Sequence, residues 1–478
     1  MQSNLTLLTD FYQLSMTQGY YLEQISGKTA VFDLFYRTNP YDGGYCVCAG
    51  IAQAVEYLEN LHFSDSDIEY LRSLKKFDSD YLNVIRNLRF TGDVYAIPEG
   101  SVMFATEPVI RVKAPLIEAQ LIETALLNII NHQSLIATKA ARVCFAAEDI
   151  PVLEFGLRRA QGPDAGVYGA RAAIIGGCYA TSNVLAGKMF DALVAGTHGH
   201  SWILAHETEY EAFLAYAKFS RDSLTLLVDT YNVQKSGVPN AIRVFSKLRA
   251  DGTLPVKYGI RLDSGDLSYL SKKSREQLDS AGFKDALITA SGDLDEYLIA
   301  TLKQQGAKID IYGVGTNLIT SRDCTSLGGV YKLSAIEENG IFAPKLKISE
   351  NPDKITVPGV KKITRLYDKQ TGMMKADLIT LDDEQINPDN DLTIFDPKAT
   401  WRKMTLRAGS YIARELLEPV ILGGRTVQKQ KSLAELRDYC TREKDTLWDE
   451  YKRFINPHIM PVDLSLKLYN LKEKMVSV

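Results

Sequence analysis

His198 and His200 stand one residue apart in the stretch Ala192–Trp202, among Gly196, Thr197, Gly199 and Ser201. They are two of only six histidines in a chain of 478 residues. Imidazole is the side chain best suited to moving a proton or accepting a group near neutral pH. The short apolar run before the pair reads as a buried strand, and strand ends are where α/β folds place their chemistry. A lone histidine is most often a satisfied structural one. A close pair beside Gly and Thr points to a site.

Polar residues recur at the ends of other short apolar runs: Arg158 and Arg159, Asp229, Arg261 with Asp263 and Asp266, Ser291 with Asp293, and Thr316. Arginine forks grip anions, and carboxylates beside them steer a cation or a hydroxyl. That mixture suits an anionic substrate. Two turns, Ala290–Asp295 and Tyr312–Asn317, carry Gly292, Gly313 and Gly315 between a strand and a helix. Glycine lets backbone N–H groups approach an anion, and a helix N-terminus favours negative charge, so both turns are candidate phosphate loops. A histidine-bound metal is the competing reading. It needs further histidines at later strand ends, and His62, His132 and His458 fall outside the repeat.

The elements that must position these residues lie past residue 150. Apolar runs at Val152–Arg158, Ala192–His200, Leu224–Thr230, Lys257–Asp263, Ala286–Ser291, Ile309–Thr316 and Gly329–Leu333 alternate with helix-like stretches. Continuous apolar strands between helices argue for a parallel sheet covered on both faces, and the number of units favours a barrel. Before it, a helix opens near Thr9 or Asp10, Val31–Tyr36 reads as a strand, residues 50–90 as helical and Val94–Val112 as β. A long helix after Pro115 has an apolar surface broad enough to face a second domain or subunit. The expected domains are 1–135, completed by 341–395; a barrel over 136–340; and a helical C-terminal extension over 396–478.

Bulk properties narrow the class. An apolar fraction of 45% and a charged fraction of 24% are those of a soluble globular protein. A net charge of −4 without a long basic run argues against nucleic acid. Six irregularly spaced cysteines do not make a disulfide framework. With no signal-peptide pattern and no apolar stretch long enough to span a bilayer, the cytoplasm is the expected compartment and no membrane is an expected partner.

Taken together, Leu8–Gln13, Glu154–Asp164, Ser182–Gly187, Gly196–Ser201, Val228–Tyr231, Arg261–Leu267 and Gly313–Thr316 resemble the motifs of the nicotinate phosphoribosyltransferase family, in the family's order. The resemblance implies an enzyme that joins nicotinate to phosphoribosyl pyrophosphate, with ATP as co-substrate and Mg²⁺ required. It implies an irregular TIM-like α/β barrel of the type II phosphoribosyltransferase kind, with a discontinuous α/β N-terminal domain and a C-terminal extension. The family's phosphorylated histidine, in Gly-Thr-x-x-His, maps to His200, and His198 becomes a supporting residue. Nicotinate contacts carry over to Tyr12, Thr197, Arg261 and Arg158. Phosphoribosyl contacts carry over to Ser291, Gly292, Gly313, Gly315 and Thr316, while Asp263 and, more weakly, Asp229 are candidates for the metal or the ribose hydroxyls. A homodimer with shared active sites is implied, Tyr12 completing a neighbour's site. Rival readings are a nicotinamide- or quinolinate-using relative and a catalytically idle homologue.

Overall fold

The computed structural model describes residues 4–477. The chain forms two compact units. One comprises residues up to Thr138, Ser326–Lys431 and the chain from Asp438 on; the other comprises Lys139–Thr325 and Ser432–Arg437.

The second unit holds a six-stranded parallel sheet. In spatial order its strands are Ala180–Thr181, Val152–Glu154, Ile311–Val314, Leu287–Ser291, Lys257–Leu262 and Ser223–Leu227. Register runs straight across it, with Leu227 opposite Arg261, Arg261 opposite Thr289, and Ser291 opposite Gly313. Helices Val238–Ala250, Leu267–Ser280 and Glu296–Gln304 connect successive strands, so every strand runs the same way. Asp266 and Asp295 cap the latter two helices with their carboxylates. All strand C-termini therefore reach one edge of the sheet, the edge that positions the site.

Two expectations for this unit need correction. Ala192–His200 is not a strand: only Val194 bridges to Thr181, and Leu193 and Val194 are exposed. Gly329–Leu333 is not a barrel strand either. It lies in Gly329–Glu338, which pairs antiparallel with Thr29–Tyr36 in the first unit, and the ring of Tyr331 stacks on Phe32 at 4.8 Å. The reason is local. Asn339 and Gly340, at φ 55° and 80°, turn the chain into the strand Ile341–Pro344. A two-residue Asn-Gly turn makes a hairpin, whereas a parallel strand needs a crossover helix.

The first unit holds a seven-stranded sheet in the order Ile341–Pro344, Gly329–Glu338, Thr29–Tyr36, Ile110–Pro115, Asp93–Ala96, Glu418–Leu422 and Arg425–Thr426. A four-stranded sheet of Tyr411–Glu415, Lys361–Asp368, Met374–Leu381 and Val462–Leu464 lies in the same unit. Residues 396–478 are thus no helical extension. The helices Leu433–Asp445 and Leu466–Val476 alternate with strands whose hydrogen-bond partners lie in the sheets of this unit. Gly423 and Gly424, both at positive φ, form the turn that sets Glu418–Leu422 against Arg425–Thr426. Inside the four-stranded sheet Arg365 is fully buried and grips Asp377 bidentately, with Glu443 on its other nitrogen. Among the described residues no helix is long and apolar enough to cross a membrane.

Candidate active site

Arg261 leaves the fifth strand of the parallel sheet near its C-terminal end, and three side chains fix its guanidinium. Nε donates to Ser291 Oγ at 2.7 Å, Nη1 to Thr197 Oγ1 at 2.9 Å and Nη2 to Asp263 Oδ1 at 2.6 Å. A guanidinium has five N–H donors. One on each terminal nitrogen, the two prongs of a fork, is left over from these three bonds. The ring of Phe155 lies 5.5 Å from the guanidinium carbon, a flat apolar surface beside that fork.

Ser291 donates its own proton to Asp263 Oδ1, so Arg261, Ser291 and Asp263 form a closed set. Burial pushes the Asp263 carboxyl up, but Arg261 and the bonds from Ser291 and Arg261 outweigh it, and the group ends below its usual range. Asp263 is thus an anion that steadies a cation. The Ser291 hydroxyl, expected to hold a phosphoribosyl group, accepts from Arg261 and donates to Asp263.

His200 begins the short helix His200–Leu204, and its Nε2 lies 3.2 Å from Asp229 Oδ1. The other oxygen of Asp229 accepts from the Asp263 N–H at 3.2 Å and from the Ser264 hydroxyl. Asp229 thus holds the imidazole with one oxygen and the Asp263–Ser264 turn with the other. His198 turns away from this pair. It is buried, and its Nε2 accepts from the Leu227 N–H at 3.2 Å.

The glycines divide by cause. Gly292, at φ 98°, presses on the Asp263 carbonyl, which a Cβ would meet at 2.3 Å, so the turn after Ser291 requires it. Gly313 lies inside its strand, where a Cβ would strike the Phe155 ring at 2.6 Å. Its missing side chain makes room for that aromatic. Gly315 precedes Thr316, the first residue of the short helix Thr316–Ile319. Arg158 and Arg159 sit exposed on the turn Leu157–Arg159 with no ion-pair partner among the described residues. Tyr12 belongs to the other unit, half-exposed on the helix Phe11–Leu22. Burial, then Glu123 and Asp10, push its phenol up from the usual value.

Sequence reasoning missed Phe155 as an aromatic platform. The available signal was a large ring between Glu154 and Gly156, at a strand end facing a strand with Gly313 in it. It also missed Glu154, buried and accepting from Thr181 Oγ1 at 2.6 Å and from the Gly156 N–H. Burial raises its carboxyl above the usual value, against the pull of those two bonds.

Family models match three consecutive parts of the chain. The nicotinate phosphoribosyltransferase N-terminal domain matches residues 7–131, the family model residues 150–369 and the C-terminal domain residues 360–472. A nicotinate phosphoribosyltransferase of Bacillus subtilis is 47% identical over 473 residues, 99% of this chain and 95% of that one. The chain belongs to the nicotinate phosphoribosyltransferase family. Similarity extends across kingdoms: the Caenorhabditis elegans member is 34% identical, covering 97% of this chain and 92% of its own. Among solved structures, human nicotinic acid phosphoribosyltransferase matches with a TM-score of 0.86 at 30% identity, over 98% of this chain and 99% of that one. A nicotinate-nucleotide pyrophosphorylase from Pyrococcus furiosus shares the fold, with a TM-score of 0.70 at 22% identity over 93% of this chain and 96% of that one. The motifs around Arg261 and His200 lie inside the stretch matched by the family model.

Proposed function

We propose that the protein joins nicotinate to phosphoribosyl pyrophosphate, giving nicotinate mononucleotide and pyrophosphate, in NAD salvage. Membership of the family supports the reaction. The observation that carries the substrate is Arg261, braced by Thr197, Ser291 and Asp263 with two N–H donors to spare beside the Phe155 ring. The carboxylate of nicotinate takes the fork, and the pyridine ring packs on Phe155. A neutral amide would leave the guanidinium poorly compensated.

The pyridine nitrogen then faces the anomeric carbon. As pyrophosphate departs, the ribosyl centre gains oxocarbenium character, and fixed dipoles and cations stabilise the separating charge. Arg158 and Arg159, exposed and unpaired at the same sheet edge, suit the pyrophosphate. The backbone around Gly292 and Gly315 and the Thr316 hydroxyl suit the phosphoribosyl group. Asp263 has one oxygen, Oδ2, free of hydrogen bonds to protein, and Mg²⁺ is typically bound by one or two carboxylates together with substrate phosphates and water. Asp263 therefore fits the cation better than Asp229 does. Mg²⁺, when bound, supplies charge neutralisation on the leaving pyrophosphate.

ATP enters through His200. Its Nε2 faces Asp229, which leaves Nδ1 as the nitrogen open to a phosphoryl group. A phosphoryl group there adds negative charge that draws on nearby cations and reorganises the site around phosphoribosyl pyrophosphate. The parallel sheet, with the Leu193–His198 segment touching both of its outer strands, supports an irregular TIM-like barrel. A homodimer in which Tyr12 serves the neighbour's site, and a cytoplasmic location, complete the reading.

Initial rates of purified protein with nicotinate, nicotinamide and quinolinate, each with phosphoribosyl pyrophosphate and with or without ATP, test it. Turnover should strongly favour nicotinate and rise with ATP. Preference for either other substrate, or no turnover, overturns it.

A further inference from the structure

Leu227 ends the strand Ser223–Leu227, which pairs within the sheet only with Lys257–Leu262. Its N–H is nevertheless satisfied, because it donates to Nε2 of His198 at 3.2 Å. At the opposite edge of the sheet the same loop is held by backbone. Thr181 N–H donates to the Leu193 carbonyl at 3.0 Å and Ala195 N–H to the Thr181 carbonyl at 2.9 Å. An imidazole thus stands on one side where peptide groups stand on the other.

We propose that His198 is a positioning residue of the reaction, its Nε2 serving as the missing ladder acceptor for Leu227 and thereby aligning Thr197 with Arg261 and His200 with Asp229. The inference rests on the function proposed above and adds to it a residue that makes no contact with substrate.

Accepting from an amide demands a lone pair on Nε2, which puts the proton on Nδ1. Nδ1 has its own outlet, the Gly199 carbonyl at 3.4 Å. The ring is buried and meets Tyr216 edge-on at 4.6 Å. Burial lowers its pKa to about 4, helped by Arg261 and His200 and opposed by the Gly199 carbonyl. The charged or titratable groups around the ring are thus Arg261, His200 and Tyr216, and the neutral, accepting form is the one present at pH 7.

The bond sits between both working pairs. Thr197 Oγ1 donates to the His198 carbonyl at 3.2 Å, which turns its lone pair toward Arg261 Nη1. His200 follows two residues after His198, and Asp229 two residues after Leu227. Tying His198 to Leu227 therefore sets the distance between the loop bearing His200 and the loop bearing Asp229. No other side-chain bond joins residues 192–199 to residues 223–228 among the described residues.

Three variants of the full chain separate this role from packing. Gln carries an oxygen near the Nε2 position, Leu has similar bulk without an acceptor, and Asn reaches only the Nδ1 position. Amide hydrogen exchange at Leu227 should stay slow in wild type and His198→Gln and become about tenfold faster in His198→Leu and His198→Asn. In the latter two, KM for nicotinate should rise about tenfold and acid-labile phosphate should load onto His200 about tenfold more slowly, with His198→Gln within about threefold of wild type. If His198→Leu or His198→Asn lowers Tm while exchange at Leu227 and both kinetic readouts stay unchanged, the proposal is overturned. Should the leucine variant fail to fold, the Asn and Gln pair decides alone. A wild-type protein inert toward nicotinate overturns the functional reading instead, a result distinct from unchanged exchange at Leu227.

Discussion

His200 Nε2 meets Asp229 Oδ1 at 3.2 Å, with the imidazole 42% exposed and the carboxylate side chain 1% exposed. An exposed ring held by a buried acid is oriented from behind and open in front. Incubation with ATP should place acid-labile phosphate on His200. His200→Ala should abolish the label and the ATP stimulation, leaving some ATP-independent turnover, whereas His198→Ala should still carry label. Asp229→Asn should slow labelling by about one to two orders of magnitude, since a hydrogen bond to a charged group contributes roughly 1.5–3 kcal/mol. Label tracking His198 would show the assignment to be wrong.

Arg261 is 13% exposed as a side chain and shares Asp263 with Ser291. Losing the fork should cost about 10- to 100-fold in kcat/KM for nicotinate. Arg261→Lys keeps the charge but not the planar fork and should be nearly as damaging. Arg261→Gln should depress nicotinate far more than any residual nicotinamide activity. The measurement is kcat/KM for both substrates. An unchanged acid-to-amide ratio would move the carboxylate contact to Arg158 or Arg159.

Tyr12 and Phe11 stand exposed at the start of the helix Phe11–Leu22. Mixing Tyr12→Ala with His200→Ala, neither of which should show ATP-stimulated turnover alone, should restore part of that ATP-stimulated turnover once subunits exchange, because a mixed dimer has one site with both defects and one with neither. Absence of recovery after proven exchange would count against shared sites.

Arg365 is fully buried between Asp377, bidentate at 2.6–3.1 Å, and Glu443 at 3.2 Å. Removing the cation strands two buried carboxylates. Arg365→Met should destabilise the protein by about 3–5 kcal/mol, read as a lower midpoint in urea. A shift under about 1 kcal/mol would mean the acids re-protonate or find Arg414 sufficient.

Asp463 has its pKa pushed up to about 6, first by burial and then by Asp396. Its ordinary value is 3.8. The unfolded chain therefore releases this proton at lower pH than the native protein does. Native stability from this group is gained as pH falls through 6 and is missing above it. Asp463→Asn should raise Tm at pH 8, with the gain shrinking through pH 6 and gone near pH 4. An advantage independent of pH would assign the effect to packing.

The sequence by itself determined the alternation of apolar runs and helices that makes the parallel sheet. It also determined that Arg261, Asp263 and Asp229 lie at or just beyond strand ends, because periodicity and turn residues are local properties of the chain. His200, expected at the end of a strand, instead opens a short helix after an irregular segment. The Asn339–Gly340 turn is a local hairpin signal that the sequence reading passed over in favour of the apolar look of Gly329–Leu333. Only the tertiary structure decided who partners whom. Thr197 reaches Arg261 across 64 positions, and Ser291 gives its hydroxyl to Arg261 and Asp263. Gly313 is small for the sake of Phe155, and His198 pairs with a backbone amide at a sheet edge. Such contacts depend on strand order and register, which bring distant residues within hydrogen-bonding range, and no local spacing encodes them.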